Sequence, residues 1–229
     1  MKIYFLIFDK VEELDLVGPW ELIGLLANKG LCEPPKLISL NTMTPTGTHG
    51  LRLSADCHFK DYYSTAGDVS SSDVLNGESI KTDFPDIIIV PGGSGARIAM
   101  QDKEVLQFLQ DCDKYCQALL SVCTGLHLLQ AAGLLKGRKA TTHWAFLEQL
   151  KADKSVTVIE ERFVNDGHIW SSAGVSAGMD MLLAFIKDTF GEDIAAAIQL
   201  AAEYYPSPTI YGSPQDNPEV SQYIRDLDK

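Results

Sequence analysis

Apolar residues follow one another in continuous runs along this chain, and these runs do not alternate with polar residues. Residues 2–8 (Lys-Ile-Tyr-Phe-Leu-Ile-Phe) are the longest example, and the apolar-rich segments 36–41, 86–90 and 117–122 also read as strands. A continuous apolar run is typical of a strand that is covered on both faces in a parallel sheet. We therefore predict four buried parallel strands.

Helical patterns separate these strands. Pro19 is placed to open a helix that carries Leu22 and Leu26 on one side and closes at Gly30. Apolar positions at helical spacing precede residue 117 and follow residue 125, and two more helices are expected over 177–190 and 193–205. Alternating strands and helices predict an α/β fold with a doubly wound, mostly parallel sheet flanked by helices.

Three segments depart from the alternation. The stretch 156–172 reads as a small hairpin with Asp166-Gly167 at its turn. The polar, turn-rich segment 64–83 is expected to be a surface loop. We expect a single domain over residues 1–205, followed by a Pro-rich tail over 206–229 that is extended or irregular and covers a neighbouring surface.

Charge and cysteine content narrow the possible partners. The net charge of -12, without a basic cluster, argues against direct nucleic-acid binding. The apolar run at residues 2–8 is too short for a membrane span or a signal segment, so we expect no membrane association and a cytoplasmic location. Five cysteines without a Cys-x-x-Cys pair fit a reducing compartment, and no partner set completes a metal site around Cys112 and Cys116.

Cys123 stands where a buried strand is predicted to turn into a helix, in Ser121-Val-Cys-Thr-Gly125. A sharp strand-to-helix turn presents a nucleophile, and the N-terminus of a helix lowers a thiol pKa. A small buried cysteine without chemistry is the equally open alternative.

Two further segments end at the same edge of the predicted sheet. Gly92 and Gly93 follow a strand, and their amides together with that of Thr124 could form an anion hole, although a plain tight turn explains them equally well. Asp15 follows the first strand between leucines, where a carboxyl group near a thiolate would have a raised pKa. A solvated loop acid is the alternative, and it is the commoner one.

Long motifs make the chain resemble the DJ-1/PfpI superfamily, and its isonitrile hydratase branch in particular, over residues 1 to about 205. The motifs are Leu-Asp-Leu-Val-Gly-Pro-Trp-Glu (14–21), Asp-Ile-Ile-Ile-Val-Pro-Gly-Gly (86–93), Ser-Val-Cys-Thr-Gly (121–125), Ala-Gly-Leu-Leu-Lys-Gly-Arg (132–138), Ala-Thr-Thr-His-Trp (140–144) and Ser-Ala-Gly (172–174).

The resemblance implies a flavodoxin-like or class I glutamine amidotransferase-like fold, a homodimer, a small-molecule substrate and no cofactor. It implies Cys123 as nucleophile, Asp15 as its acid/base partner and Thr124 as an assisting residue. His143 lies close to the site in similar proteins, unless it only caps the next helix, and we group it with Trp144, Gly92 and Gly93 as substrate-binding residues. The expected reaction is addition of water to an isonitrile.

Departures from related branches discriminate among activities. Thr124 stands where PfpI-type proteases have histidine, and Asp15 stands where glyoxalase-like and deglycase-like members typically have glutamate. Regulators with an AraC-type tail share the motifs, but no helix-turn-helix pattern follows Tyr205. Aldehyde chemistry and a cysteine-based redox or small-molecule sensor remain the alternatives to hydration.

Overall fold

The computed structural model describes residues 1–63, 84–206 and 209–226. The predicted loop over 64–83 lies outside the described residues. In the described part, the strands are β1 (Ile3–Ile7), β2 (Lys36–Ser39), β3 (Cys57–His58), β4 (Ile87–Val90), β5 (Ala118–Val122), β6 (Lys139–Ala140), β7 (Thr157–Val158), β8 (Phe163–Asp166) and β9 (Ile169–Ser172).

Seven of these strands form one sheet in the order β3-β2-β1-β4-β5-β9-β8. Every neighbouring pair is parallel except β8 and β9, which form an antiparallel hairpin. Strands β6 and β7 pair separately in a small parallel sheet. The mostly parallel, doubly wound sheet with a small hairpin is therefore confirmed.

Helices cover both faces of the sheet. They are α1 (Glu13–Asn28), α2 (Ala96–Ala99), α3 (Lys103–Tyr115), α4 (Leu126–Ala131), α5 (Leu147–Lys151), α6 (Ala177–Phe190), α7 (Glu192–Ala201) and α8 (Gln222–Arg225). Within β1, alternate side chains enter two apolar clusters, one with α1, α6 and α7 and the other with α3 and α4. Burial on both faces explains why β1 is apolar at every position.

Helix α1 begins earlier than the sequence predicts. Pro19 lies inside the helix and does not open it, because the turn before it, which includes Asp15 and Leu16, is already helical and buried. Proline lacks the N–H that would bond to the carbonyl group four positions before it, so α1 lacks the hydrogen bond to Asp15 O at this point. Gly30, with φ of 73°, follows the helix as predicted.

The hairpin and the C-terminal segment also differ in detail from prediction. Asp166 pairs with Ile169, so the two-residue turn is Gly167-His168 and not Asp-Gly. The first hairpin strand is shorter than predicted, because Thr157–Val158 joins the small sheet instead.

The tail is not wholly irregular, since it forms α8. It also packs on the neighbouring surface, with Val220 and Ser221 buried and the Gln222 amide donating to Glu160 Oε2 at 2.9 Å. Among the described helices, none combines the length and the apolar character that a membrane span requires.

Candidate active site

Cys123 occupies the turn between β5 and α4. Its φ is +57°, a left-handed conformation that costs free energy in a residue other than glycine and is retained only where the surroundings hold it. Two bonds hold it here: the Cys123 amide donates to Ala173 O at 3.2 Å, and the Thr142 hydroxyl donates to Cys123 O at 2.8 Å. The predicted strand-to-helix turn is confirmed.

Asp15 lies in the first turn of α1 and is fully buried. Its Oδ2 accepts a hydrogen bond from the Gly92 amide at 2.9 Å, whereas Oδ1 has no partner of standard geometry within the described residues. The pKa of this carboxyl group is raised to about 7, mainly by burial and also by the charge of Glu12. The hydrogen bonds from the Gly92 amide and the Cys123 thiol limit the rise. The predicted raised pKa is confirmed, and the solvated loop acid is wrong.

The Cys123 thiol is only 6% exposed. Burial raises its pKa to about 12, the charge of Asp15 adds to this, and the amides of Thr124 and Val175 and the Thr124 side chain oppose it. The prediction of a lowered pKa is therefore wrong, because loss of water outweighs the helix N-terminus. At neutral pH the thiol keeps its proton, beside a carboxyl group that is close to half ionised.

The glycine loop after β4 donates the amides of Gly92 and Gly93 to the side chains of Asp15 and Thr124, so these two amides do not form an open anion hole. The Gly92 amide is bonded to Asp15, and the Gly93 amide donates to Thr124 Oγ1 at 3.0 Å. A Cβ on Gly92 would lie 2.6 Å from Thr124 Oγ1, so this position excludes other residues. The expected anion hole from these amides is corrected, because the N–H groups that act on the sulfur belong to Thr124 and Val175.

His143 both caps a turn and borders the site. Its Nδ1 accepts a hydrogen bond from the Ala145 amide at 3.2 Å, which makes it the cap of the 3₁₀ turn Trp144–Phe146. Burial lowers its pKa, so the ring is neutral at neutral pH. Trp144 does not border the space next to Cys123 but lines two other cavities, of about 590 and 510 Å³, so its grouping with His143 around the thiol is corrected.

A cavity of about 210 Å³ opens over the thiol. Its lining consists of Glu12, Gly93, Ser94, Arg97, Cys123, Thr124, His143, Phe146 and Val175. Glu12 and Ser94 are sequence neighbours of the recognised motifs and could have been found from them. Arg97, Phe146 and Val175 carry no such signal, because only the folded chain brings them to residue 123. The small volume suits a substrate of few atoms.

In the part of the chain that the structure describes, one group of side chains with metal-ligand atoms lies beside this cavity. Glu12, Glu13 and His49 bring their ligand atoms within 4.8 Å of one another. His49 is exposed, and its Nδ1 lies 2.8 Å from Glu13 Oε2, an ion pair that explains the geometry without a metal. We assign no ion to this group.

Comparisons with known proteins agree with this architecture. The family model described as DJ-1/PfpI matches residues 1–188. The chain is 33% identical to an isonitrile hydratase of Pseudomonas putida over 221 residues, covering 96% of this chain and 86% of the relative. It is 24% identical to a deglycase of Pyrococcus horikoshii, covering 78% of this chain and 93% of that protein.

Among solved structures, a ThiJ/PfpI family protein from Pseudomonas syringae superposes with a TM-score of 0.77 at 28% identity, covering 98% of this chain and 82% of that one. The family match covers most of the chain, and the Pseudomonas putida relative is above 30% identity along nearly the whole chain. The chain belongs to the DJ-1/PfpI family.

Proposed function

We propose that this protein hydrates an isonitrile, R–NC, to an N-substituted formamide. The observation that carries the proposal is the fully buried Asp15, whose pKa of about 7 lets its carboxyl group take and return a proton beside the Cys123 thiol. Similarity to the Pseudomonas putida isonitrile hydratase supports this reaction over others in the family. Cys123 is the nucleophile in this proposal and Asp15 is the acid/base.

The first half of the reaction joins the thiol to the substrate. Ionised Asp15 takes the proton of Cys123, and Sγ attacks the terminal isonitrile carbon. Asp15 then gives this proton to the same carbon. One S–H bond breaks while one S–C and one C–H bond form, and the product is a thioimidate, R–N=CH–S.

The second half adds water. Ionised Asp15 takes a proton from a water molecule while the water oxygen attacks the thioimidate carbon. Asp15 then passes that proton to the thioimidate nitrogen. The C–S bond then breaks, the remaining hydroxyl proton returns to sulfur, and R–NH–CHO leaves. The net change is one isonitrile plus one water to one formamide, with thiol and carboxylate regenerated.

Thr124 serves this chemistry through two groups. Its amide and side chain both act on the Cys123 sulfur and favour its negative charge. Its Oγ1 accepts the Gly93 amide at 3.0 Å, which fixes the hydroxyl in place. We therefore assign Thr124 the stabilisation of the thiolate as it forms.

The test is formamide production from cyclohexyl isocyanide, with loss of methylglyoxal followed in parallel. Wild type is compared with Cys123→Ala and Asp15→Asn, and circular dichroism checks that both variants fold. We expect formamide from wild type and a loss of about 10²- to 10⁴-fold in Asp15→Asn. Retained turnover in either variant contradicts the assigned roles. Methylglyoxal consumption without formamide favours aldehyde chemistry, and silence in both assays favours a cysteine sensor.

A further inference from the structure

Arg97 borders the cavity over Cys123 and is held there by an aromatic ring. Its guanidinium carbon lies 5.2 Å from the centroid of the Phe146 ring. Two imidazole rings fix Phe146 in turn, since His127 and His143 meet it edge to face at centroid distances of 5.9 and 6.0 Å. A guanidinium placed over a fixed ring keeps its edge N–H groups available for a ligand.

No carboxylate neutralises this arginine. Within the described parts of the chain, no acidic side chain lies within ion-pair distance of Arg97, and no side-chain hydrogen bond occupies its guanidinium. The other basic residue of the lining, His143, is neutral because burial lowers its pKa. Among the lining residues that the structure describes, Arg97 is thus the only cation.

Of the described residues on this lining, Glu12 alone is acidic. Its Oε1 lies 3.6 Å from His49 Nδ1, and the pKa of His49 is raised by hydrogen bonding to Glu13 and by the charges of Glu12 and Glu13. Glu12 therefore lies next to His49, which is not among the described residues that line the cavity.

We propose that Arg97 binds an anionic group of the substrate, so that the isonitriles this site prefers carry a carboxylate close to the isocyano group. The isocyano group in this inference rests on the proposed function. The preference for an anion rests on Arg97 in the cavity lining and does not depend on that function. A carboxylate matches the planar fork of arginine through two parallel hydrogen bonds. The cavity of about 210 Å³ limits the spacer between the two groups to a short one.

The direct experiment compares two substrates that differ in one charge. Isocyanoacetate and methyl isocyanoacetate are assayed for formamide with wild type, Arg97→Met and Arg97→Lys, at one pH and one ionic strength. We expect Arg97→Met to lower kcat/KM for isocyanoacetate by roughly 10- to 100-fold, as befits a lost charge-assisted hydrogen bond. We expect kcat/KM for the ester to change by less than about threefold, and Arg97→Lys to recover part of the loss.

The control variant is Arg52→Met. Arg52 is exposed and outside the cavity, so the variant has the same net charge as Arg97→Met without touching the lining. An equal loss for acid and ester in Arg97→Met overturns the proposal, because it indicates damage to the site and not loss of anion binding. So does an equal loss for isocyanoacetate in Arg52→Met, because it indicates a general effect of net charge.

A second measurement separates this proposal from the proposed function. Alkylation of Cys123 by iodoacetate and by iodoacetamide is followed by mass spectrometry of the peptide that contains it. We expect the ratio of the iodoacetate rate to the iodoacetamide rate to fall about tenfold in Arg97→Met. If wild type hydrates neither isonitrile, the proposed function fails and this ratio alone decides: a fall supports anion binding by Arg97, and an unchanged ratio overturns it.

Discussion

Cys123 and Cys112 are both buried thiols with raised pKa values, yet only one has the surroundings of a nucleophile. Cys112 lies fully buried on α3 within the apolar cluster, and burial, followed by its interaction with Cys116, raises its pKa well above the usual value. Cys123 has a similar degree of burial. It also has a cavity over the sulfur, and Asp15 is next to it.

The difference shows what burial does and does not accomplish. Burial keeps either thiol protonated, so neither is a standing thiolate at neutral pH. At Cys123, the amides of Thr124 and Val175 favour the charged sulfur, and Asp15 can accept its proton. At Cys112, the nearby charges of Asp111 and Asp113 oppose a thiolate. Reactivity at Cys123 therefore depends on proton transfer at the moment of attack.

The largest expected effect comes from removing each sulfur in turn. Cys123→Ala should lower the rate of isonitrile hydration by at least about 10³-fold, because the nucleophile is gone. Cys112→Ala should keep activity within about twofold and lose about 1 kcal/mol of unfolding free energy, as expected for a small buried truncation. Formamide assays and urea denaturation measure the two. Equal losses of activity would remove the distinction between the sites.

The next effect concerns the stability cost of burying Asp15. Its pKa is about 7 in the folded protein against an ordinary 3.8, so the folded state binds a proton that the unfolded state releases between these values. Wild-type stability should therefore fall as pH rises from about 4 to about 7, and level off above it.

Asp15→Asn should remove the fall in unfolding free energy between about pH 4 and about pH 7. The difference in unfolding free energy between variant and wild type should therefore shift in favour of the variant by up to about 4 kcal/mol over this pH range. Urea denaturation at several pH values measures this, with exposed Asp193→Asn as the control. A pH-independent difference between Asp15→Asn and wild type would show that Asp15 is not buried at a raised pKa.

A third expectation concerns the pH dependence of the rate. In the proposed mechanism ionised Asp15 accepts the thiol proton, so kcat/KM should rise about tenfold per pH unit below about 7 and become level above it. The level region should extend into the alkaline range, since the Cys123 pKa is about 12. Initial rates in buffers of constant ionic strength measure the profile. A rate that falls through pH 7 would mean that the neutral acid is the working form.

The smallest effect separates chemical reactivity from catalysis. The charge of Asp15 is the second-largest cause of the raised Cys123 pKa, so Asp15→Asn should speed iodoacetamide alkylation of Cys123 several-fold at about pH 8.5. Cys112 should stay unreacted in both proteins. Peptide mass spectrometry measures the rates, and slower alkylation of Cys123 in the variant would contradict the electrostatic interpretation.

Much of this protein could be predicted from local patterns. Continuous apolar runs identified β1 and β4, because a strand buried on both faces is apolar at nearly every position, and shorter apolar stretches marked β2 and β5. The position of Cys123 followed from the order of strand, turn and helix alone. A raised pKa for Asp15 was one of two interpretations that its leucine neighbours left open, and burial of the carboxyl group in the folded chain decided between them.

Tertiary contacts decided the rest. Only the fold shows that Gly92 and Gly93 give their amides to Asp15 and Thr124, since these bonds join residues 77 and 31 positions apart. The raised pKa of Cys123 likewise reflects desolvation by the packed chain, which outweighs the local helix terminus.

Phe146 and Arg97 meet at the cavity over the thiol because the fold brings the 3₁₀ turn Trp144–Phe146 next to α2, and no spacing along the chain predicts that contact. The sequence by itself determined most of the strands and helices and which cysteine stands at the strand-to-helix turn. The tertiary structure decided what surrounds that sulfur, because solvent exclusion and charge act through space.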